Sequence, residues 1–250
     1  MSYLALSLTL IFVLIPLVLS RTLRLGLEKD TLIATVRSII QLLAVGYVLQ
    51  YVFEADNIIF LLLMILLMIG AATQNARKKG ASIRGITWKL FITFVFIEAL
   101  TQSILLGFSI VPPTPQYIIP ISGMVIGNSM VLGILFLNRF TAEIENRQDE
   151  TELILTLGGT PKQAIHTQLI TSIKASTIPT IESQKTIGLV QLPGMMSGQI
   201  IAGADPVQAV QFQLLILFIL LTTAVVTSIM LGFLSYPTLF NKRMQFLKIR

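Results

Sequence analysis

Apolar residues gather in seven runs along the chain, at residues 3–19, 32–53, 58–73, 88–111, 117–137, 186–204 and 212–234. A helix needs about 20 apolar residues to cross a hydrocarbon core about 30 Å thick, so each run is read as a membrane-crossing helix. The third run is short. The sixth is the weakest, because Gly188, Pro193, Gly194 and Gly198 interrupt it. The pattern predicts an all-α polytopic membrane protein of about seven transmembrane helices, forming a single transmembrane domain over residues 1–250. One polar stretch is long, residues 138–185, and is expected to be a cytoplasmic loop.

Composition supports this reading. The 250 residues are 54% hydrophobic and only 12% charged, where a soluble domain carries about a quarter charged residues. The net charge of +6 is spread over short loops and makes no basic stripe, which argues against nucleic acid. The chain has no cysteine, so disulfides and thiolate metal sites are excluded. No Lys or Arg precedes the first apolar run, unlike a secretory signal peptide, and that run is read as a retained span.

The cations then set a direction. Arg21, Arg24 and Lys29 follow the first run. Arg77, Lys78, Lys79, Arg84 and Lys89 follow the third. Arg139, Arg147, Lys162, Lys174 and Lys185 fall in the long loop. Lys242, Arg243, Lys248 and Arg250 form the tail, and Arg37 sits at the start of the second run. The intervening loops EADN, VPPTPQ and GADPVQ hold none. Positive residues stay inside, so the N-terminus is expected outside and the C-terminus in the cytoplasm. The same charges require the sixth run to cross, since otherwise the basic tail would lie outside. Trp88 and Tyr117 suit the membrane interfaces.

Within the long loop, a polar continuation of the fifth helix leads to the apolar cluster Leu153, Ile154, Leu155 and Leu157. Gly158-Gly159 ends that helix. Thr160-Pro161 starts the next, with Thr as N-cap and Pro at the first helical position. The second helix is expected to reach about Ser176, and Pro179 to break the chain. The result is a helix–Gly-Gly–helix elbow. It is too small for a core of its own, so its apolar residues need a partner surface. An ordinary solvated hairpin is the alternative.

Candidate pathway residues lie inside the runs. Glu98 falls halfway along the fourth. A mid-bilayer acid costs about 2.5–3.5 kcal/mol on insertion scales and usually faces an interior. Thr101 and Gln102 follow at i+3 and i+4 on the same face, giving an oxygen-rich stripe that suits a hard cation. Arg37, with Gln41 a turn deeper, is a candidate partner. Two roles stand for Glu98: contact with solute or proton, or structural pairing. Asn128 lies mid-way along the fifth run beside Gly123 and Gly127, a G-x-x-x-G face read as packing within one subunit ahead of a dimer seam. Pro193 and its glycines free backbone groups, which membrane proteins tolerate where a cavity is lined or protein covers them. Met195 and Met196 offer thioethers, yet adjacent residues point about 100° apart on a helix, which favours packing. No metal site is assigned. His166, the lone histidine, reads as a surface or docking residue, and no hydrolase motif is present.

The runs LTLGGTPKQAI (155–165) and IPTIESQKTIGLVQLPGMMSGQIIAGADPVQAVQFQ (178–213), with ARKKG (76–80) and GNSM (127–130), resemble the FetB-type ABC permeases. Those are bacterial iron-export permeases related to plant aluminium-tolerance membrane proteins. The likeness covers the whole chain, and LPGMMSGQ is its most specific piece. It implies a plasma (inner) membrane permease subunit, not an enzyme, that exports metal, with iron as the named substrate. It also implies a homodimer and a separate soluble ABC ATPase that holds the ATP-Mg. On that likeness the elbow becomes the ATPase coupling loop, with Glu152, Leu155, Leu157, Gly158, Gly159, Thr160 and Pro161 at the contact. The chain itself has no G-x-x-x-x-G-K-[ST] phosphate loop. Alternatives from other classes are an ATP-independent transporter or channel, and a membrane anchor or signalling subunit that moves no solute.

Overall fold

The computed structural model describes residues 9–55, 57–241 and 243–247. Residues 3–8 of the first expected run, and Lys242, Lys248 and Arg250 of the basic tail, lie outside the described residues. The described chain is helical, with turns and two single-residue bridges, Ile187 to Gln191 and Phe240 to Phe246. It gathers in two compact units, Met1–Asn57 and Ile58–Arg250.

The first unit holds α1 (Ile11–Thr22) and α2 (Glu28–Ala55). Ser20 closes the turn between them: its Oγ donates to Glu28 Oε1 at 2.9 Å and accepts from the Leu27 amide at 3.1 Å. Leu32, Ile40, Leu43 and Tyr47 of α2 are exposed, which suits a lipid-facing helix.

The second unit holds α3 (Ile58–Ala76), α4 (Ile86–Gly107), α5 (Pro115–Asn146), α6 (Gln148–Thr156), α7 (Pro161–Ala164), α8 (His166–Thr186), α9 (Gly194–Ile201) and α10 (Pro206–Ser235). Pro115 and Pro206 each occupy the first turn of their helix, where proline's missing N–H costs no hydrogen bond. The Asp205 carboxylate caps α10 by accepting from the Gln208 amide at 3.0 Å. α5 is the hub and packs against α3, α4, α8 and α10. Its Phe136, Leu137 and Phe140 are fully buried, as are Leu90 of α4 and Leu231 of α10.

Five segments are long and apolar enough to cross a membrane: Glu28–Glu54, Ile58–Gly80, Ile86–Gly107, Pro115–Asn146 and Pro206–Leu239. They coincide with the second, third, fourth, fifth and seventh expected runs. α1 is a shorter apolar helix that overlaps the first.

The sixth run is corrected. Residues 186–204 are not one helix. α8 ends at Thr186, a turn follows with the Gly188 amide donating to the Gln191 carbonyl at 3.0 Å, and α9 starts after Pro193 with only 8 residues. In the long polar stretch 138–185 the second helix, expected to end near Ser176, runs on to Thr186. α8, 21 residues long and so about 31 Å, packs against both α5 and α10. Pro179 does not end it but sits inside it, as prolines do in bundles whose neighbours satisfy the freed backbone.

α8 can pack there because its buried hydroxyls are satisfied. Ser172 Oγ donates to the Gln168 carbonyl at 2.7 Å, Thr177 Oγ1 to that of Ile173 at 2.8 Å, and the Ser176 and Ser228 hydroxyls share a 2.8 Å bond across to α10. Gly232 sets the closeness of the crossing. A Cβ there would lie 2.5 Å from Leu169 Cδ1 and 3.3 Å from Phe136 Cζ, so the helices meet over a residue without a side chain. From Leu169 beside Gly232 to Gln184, whose Nε2 donates to the Leu217 carbonyl at 2.8 Å, α8 follows about 22 Å of α10.

Candidate functional site

Glu98 lies in α4 and is 4% exposed. Ser122 Oγ, from α5, donates to its Oε1 at 2.5 Å. Gln102 Nε2 donates to the same oxygen at 2.9 Å and to Ser122 Oγ at 3.0 Å. Glu98 Oε2 and Gln102 Oε1 are buried with no donor, so the cluster locks α4 to α5 and keeps two spare acceptors. Such acceptors can take a proton, a water or a cation. Thr101 turns elsewhere: with Leu105, Ile219 and Thr222 it borders a mostly apolar cavity of about 160 Å³. The expected stripe therefore divides. Ser122 was not singled out by the sequence reading, and its only signal is a hydroxyl beside Gly123 in an apolar run.

Arg37 and Gln41 belong to the first unit, where they lie a turn apart on α2, exposed, along an open groove with Leu32, Ile33, Val36 and Ile40. Glu98's hydrogen-bond donors are both in the second unit.

Asn128 bonds within the chain: its Nδ2 donates to Thr223 Oγ1 at 3.0 Å and to the Leu220 carbonyl at 3.4 Å, joining α5 to α10. The neighbouring G-x-x-x-G face is not a tight helix contact here. A Cβ at Gly127 would meet nothing within 4 Å, and one at Gly123 only the Met68 methyl at 3.9 Å. Met195 packs on the cluster of Ile97, Leu105, Ile121, Val125 and Ile216. Met196 is half-buried and His166 exposed. Among the described residues no three His, Cys, Asp or Glu side chains group as metal ligands.

The break between α8 and α9 gathers a different set. Asn128, Thr180, Ser183, Gln184, Gln191 and Gln213 line one open cleft. Of these, only Asn128 was singled out in the sequence. The rest come together through the course of α8, which the apolar pattern does not reveal.

The elbow is built as its local chemistry requires. Gly158 has φ +87°. Its amide donates to the Leu155 carbonyl at 3.1 Å and that of Gly159 to Ile154 at 2.9 Å, the paired bonds that end a helix on a left-handed residue. Thr160 and Gln163 then form a reciprocal capping box, with the Thr160 amide donating to Gln163 Oε1 at 2.8 Å, and Pro161 opens α7. Leu155 is half-buried, while Leu153 and Leu157 are 58% and 79% exposed. Glu152 is exposed and accepts from Gln148 Nε2 at 2.7 Å. The stem is braced: Glu143, 5% exposed, takes Arg139 at 2.5 Å and Arg147 at 3.1 Å. Gln168 Nε2 of α8 donates to Thr151 Oγ1 of α6 at 3.0 Å.

Apolar helices of crossing length around a buried carboxyl cluster define a multi-pass helical membrane protein. The chain belongs to the family described as Uncharacterised protein family (UPF0014), which matches residues 3–240. It is 55% identical to the UPF0014 membrane protein YjkA of Bacillus subtilis (strain 168), over 98% of each chain. It is 40% identical to the Probable iron export permease protein FetB of Escherichia coli (strain K12), over 96% of this chain and 93% of that one. It is 32% identical to Protein ALUMINUM SENSITIVE 3 of Arabidopsis thaliana, over 94% and 86%. No solved structure matches the chain.

Proposed function

We propose that this chain is the permease subunit of an ATP-driven metal exporter, with iron as the metal. It would work as two copies in the plasma (inner) membrane, and ATP would be bound and hydrolysed with Mg on a separate soluble ATPase. The name of the FetB relative supports the direction and the metal. The observation that carries the ATP-driven reading is the elbow: a rigidly capped turn that keeps Leu153 and Leu157 exposed while its helix is tied to α8 through Thr151 and Gln168. Exposed apolar side chains on a braced turn suit docking to a partner. A push there reaches α8 directly, and through it α5 and α10.

In this reading α1, α2, α3, α4, α5, α8 and α10 make seven crossings. α8 begins the sixth crossing beside Gly232 and the broken stretch 187–204 completes it past Leu217, so the N-terminus stays outside and the C-terminus cytoplasmic. The elbow, residues 147–165, is the cytoplasmic coupling segment of one permease domain. Replacing Gly158 tests it. Proline cannot adopt φ +87°, so Gly158→Pro is expected to insert into the membrane yet abolish solute-stimulated ATP hydrolysis by the assembled complex. Unchanged stimulation would remove the coupling role.

A further inference from the structure

The cleft at the end of α8 has a volume of about 360 Å³ and lies at the level of Asn128, mid-way along the apolar run of α5. Its polar side chains are three glutamines, an asparagine, a threonine and a serine, with aliphatic residues between them. None carries a formal charge. Gln213 is 7% exposed, and its Oε1 has no donor. A buried acceptor left open is a standing cost, relieved by a donor on a bound molecule. The Glu98 cluster is separate: Ser122 and Asn128 lie about 9 Å apart along α5 and about 240° around it.

The outer face of α8 is unusual for its depth. Lys174, Glu182 and Lys185 are exposed there, the last two paired at 2.7 Å. Neighbouring α5 and α10 expose Val131, Leu135, Leu214 and Phe218. Charged groups at membrane depth face water or protein rather than lipid, so this face of α8 suits the wall of an aqueous pathway or a contact with protein. Two lysines against one glutamate give that wall a positive bias.

A bare metal ion does not suit such a place. It needs several oxygen or anionic ligands at about 2.0–2.6 Å. The cleft is open, about 360 Å³ in volume, and its lining has no carboxylate. Mixed amide donors and acceptors suit a larger hydrogen-bonding molecule.

We propose that the cleft bounded by α5, the end of α8 and α10 is the solute site, and that it takes an oxygen-rich, hydrogen-bonding molecule without net positive charge. For a metal exporter this means a metal wrapped in its own ligands, not the free cation. The metal half of this inference rests on the function proposed above.

The test is equilibrium dialysis of the full chain in lipid nanodiscs against three probes: uncharged tris(acetohydroxamato)iron(III), whose N–H groups can donate to Gln213 Oε1, aqueous manganese(II), and acetohydroxamic acid alone. The iron complex is expected to bind in preference to the other two. Gln213→Leu and the milder Thr180→Val should each weaken it about tenfold, as loss of one buried hydrogen-bond partner does. Manganese(II) binding that is lost in Glu98→Gln and kept in Gln213→Leu would overturn the proposal and leave the metal permease standing. Acetohydroxamic acid binding as tightly as its iron complex would overturn the metal half and support the cleft's preference for uncharged solutes. No binding of any probe would overturn the proposal, while the Gly158→Pro result would still decide the permease reading.

Discussion

Ser122 shows how much one hydroxyl can hold. It donates to Glu98 and accepts from Gln102, and it is the donor that reaches that carboxyl from another helix, since Gln102 lies on α4 with Glu98. Ser122→Ala removes the tie between α4 and α5 while adding no volume. It is expected to cost about 1–3 kcal/mol, read as a lower thermal midpoint of the purified protein. An unchanged midpoint would mean that apolar packing alone joins the two helices. Half of this cluster was legible in the sequence, because Glu98 and Gln102 are i and i+4 on one helix. Ser122 was not, since the rotation of α5 against α4 decides which residue faces the carboxyl, and hydropathy does not encode rotation. The same reason separates Thr101 from the stripe it shared on paper.

At the scale of elements, α8 is the instructive case. Its Gln168, Ser172, Ser176 and Thr177 read as parts of a polar loop. They are buried nonetheless, because each serine or threonine returns its proton to a carbonyl of the preceding turn, and Gly232 lets the helix come close. Hydropathy scores each residue as though it faced lipid or water alone and misses both effects. The elbow was legible for the opposite reason: Gly158-Gly159 and Thr160-Pro161 act through local backbone rules that need no neighbour. Pro179 tests whether α8 is bent for use. Pro179→Ala restores an amide that can bond the Ala175 carbonyl, with a gain bounded by the ~3 kcal/mol proline costs in a helix interior. The expected outcome is a higher thermal midpoint with slower transport in proteoliposomes, since residue 179 borders the cleft. A higher midpoint with undiminished transport would show that the proline has no part in the cycle.

For the whole molecule, the positive-inside argument survives one change of helix. In the proposed topology a sixth crossing begun by α8 and completed by residues 187–204 leaves the number of crossings the same, so both ends are expected to keep their sides. Lys174 and Lys185, however, leave the cytoplasmic set and join α8. The remaining loop cations still lie between α1 and α2, between α3 and α4, and at the elbow. The elbow and the turn after α9 then sit at opposite ends of α10, a helix of 30 residues and so about 45 Å long. Because the chain has no cysteine, single cysteines report position without background. Leu157→Cys and Ala204→Cys both replace exposed residues. In intact cells a membrane-impermeant maleimide is expected to label position 204 and spare position 157 until the cells are opened. Labelling of position 157 from outside would reverse the direction of every crossing in the second unit and place the elbow beyond the reach of a cytoplasmic ATPase.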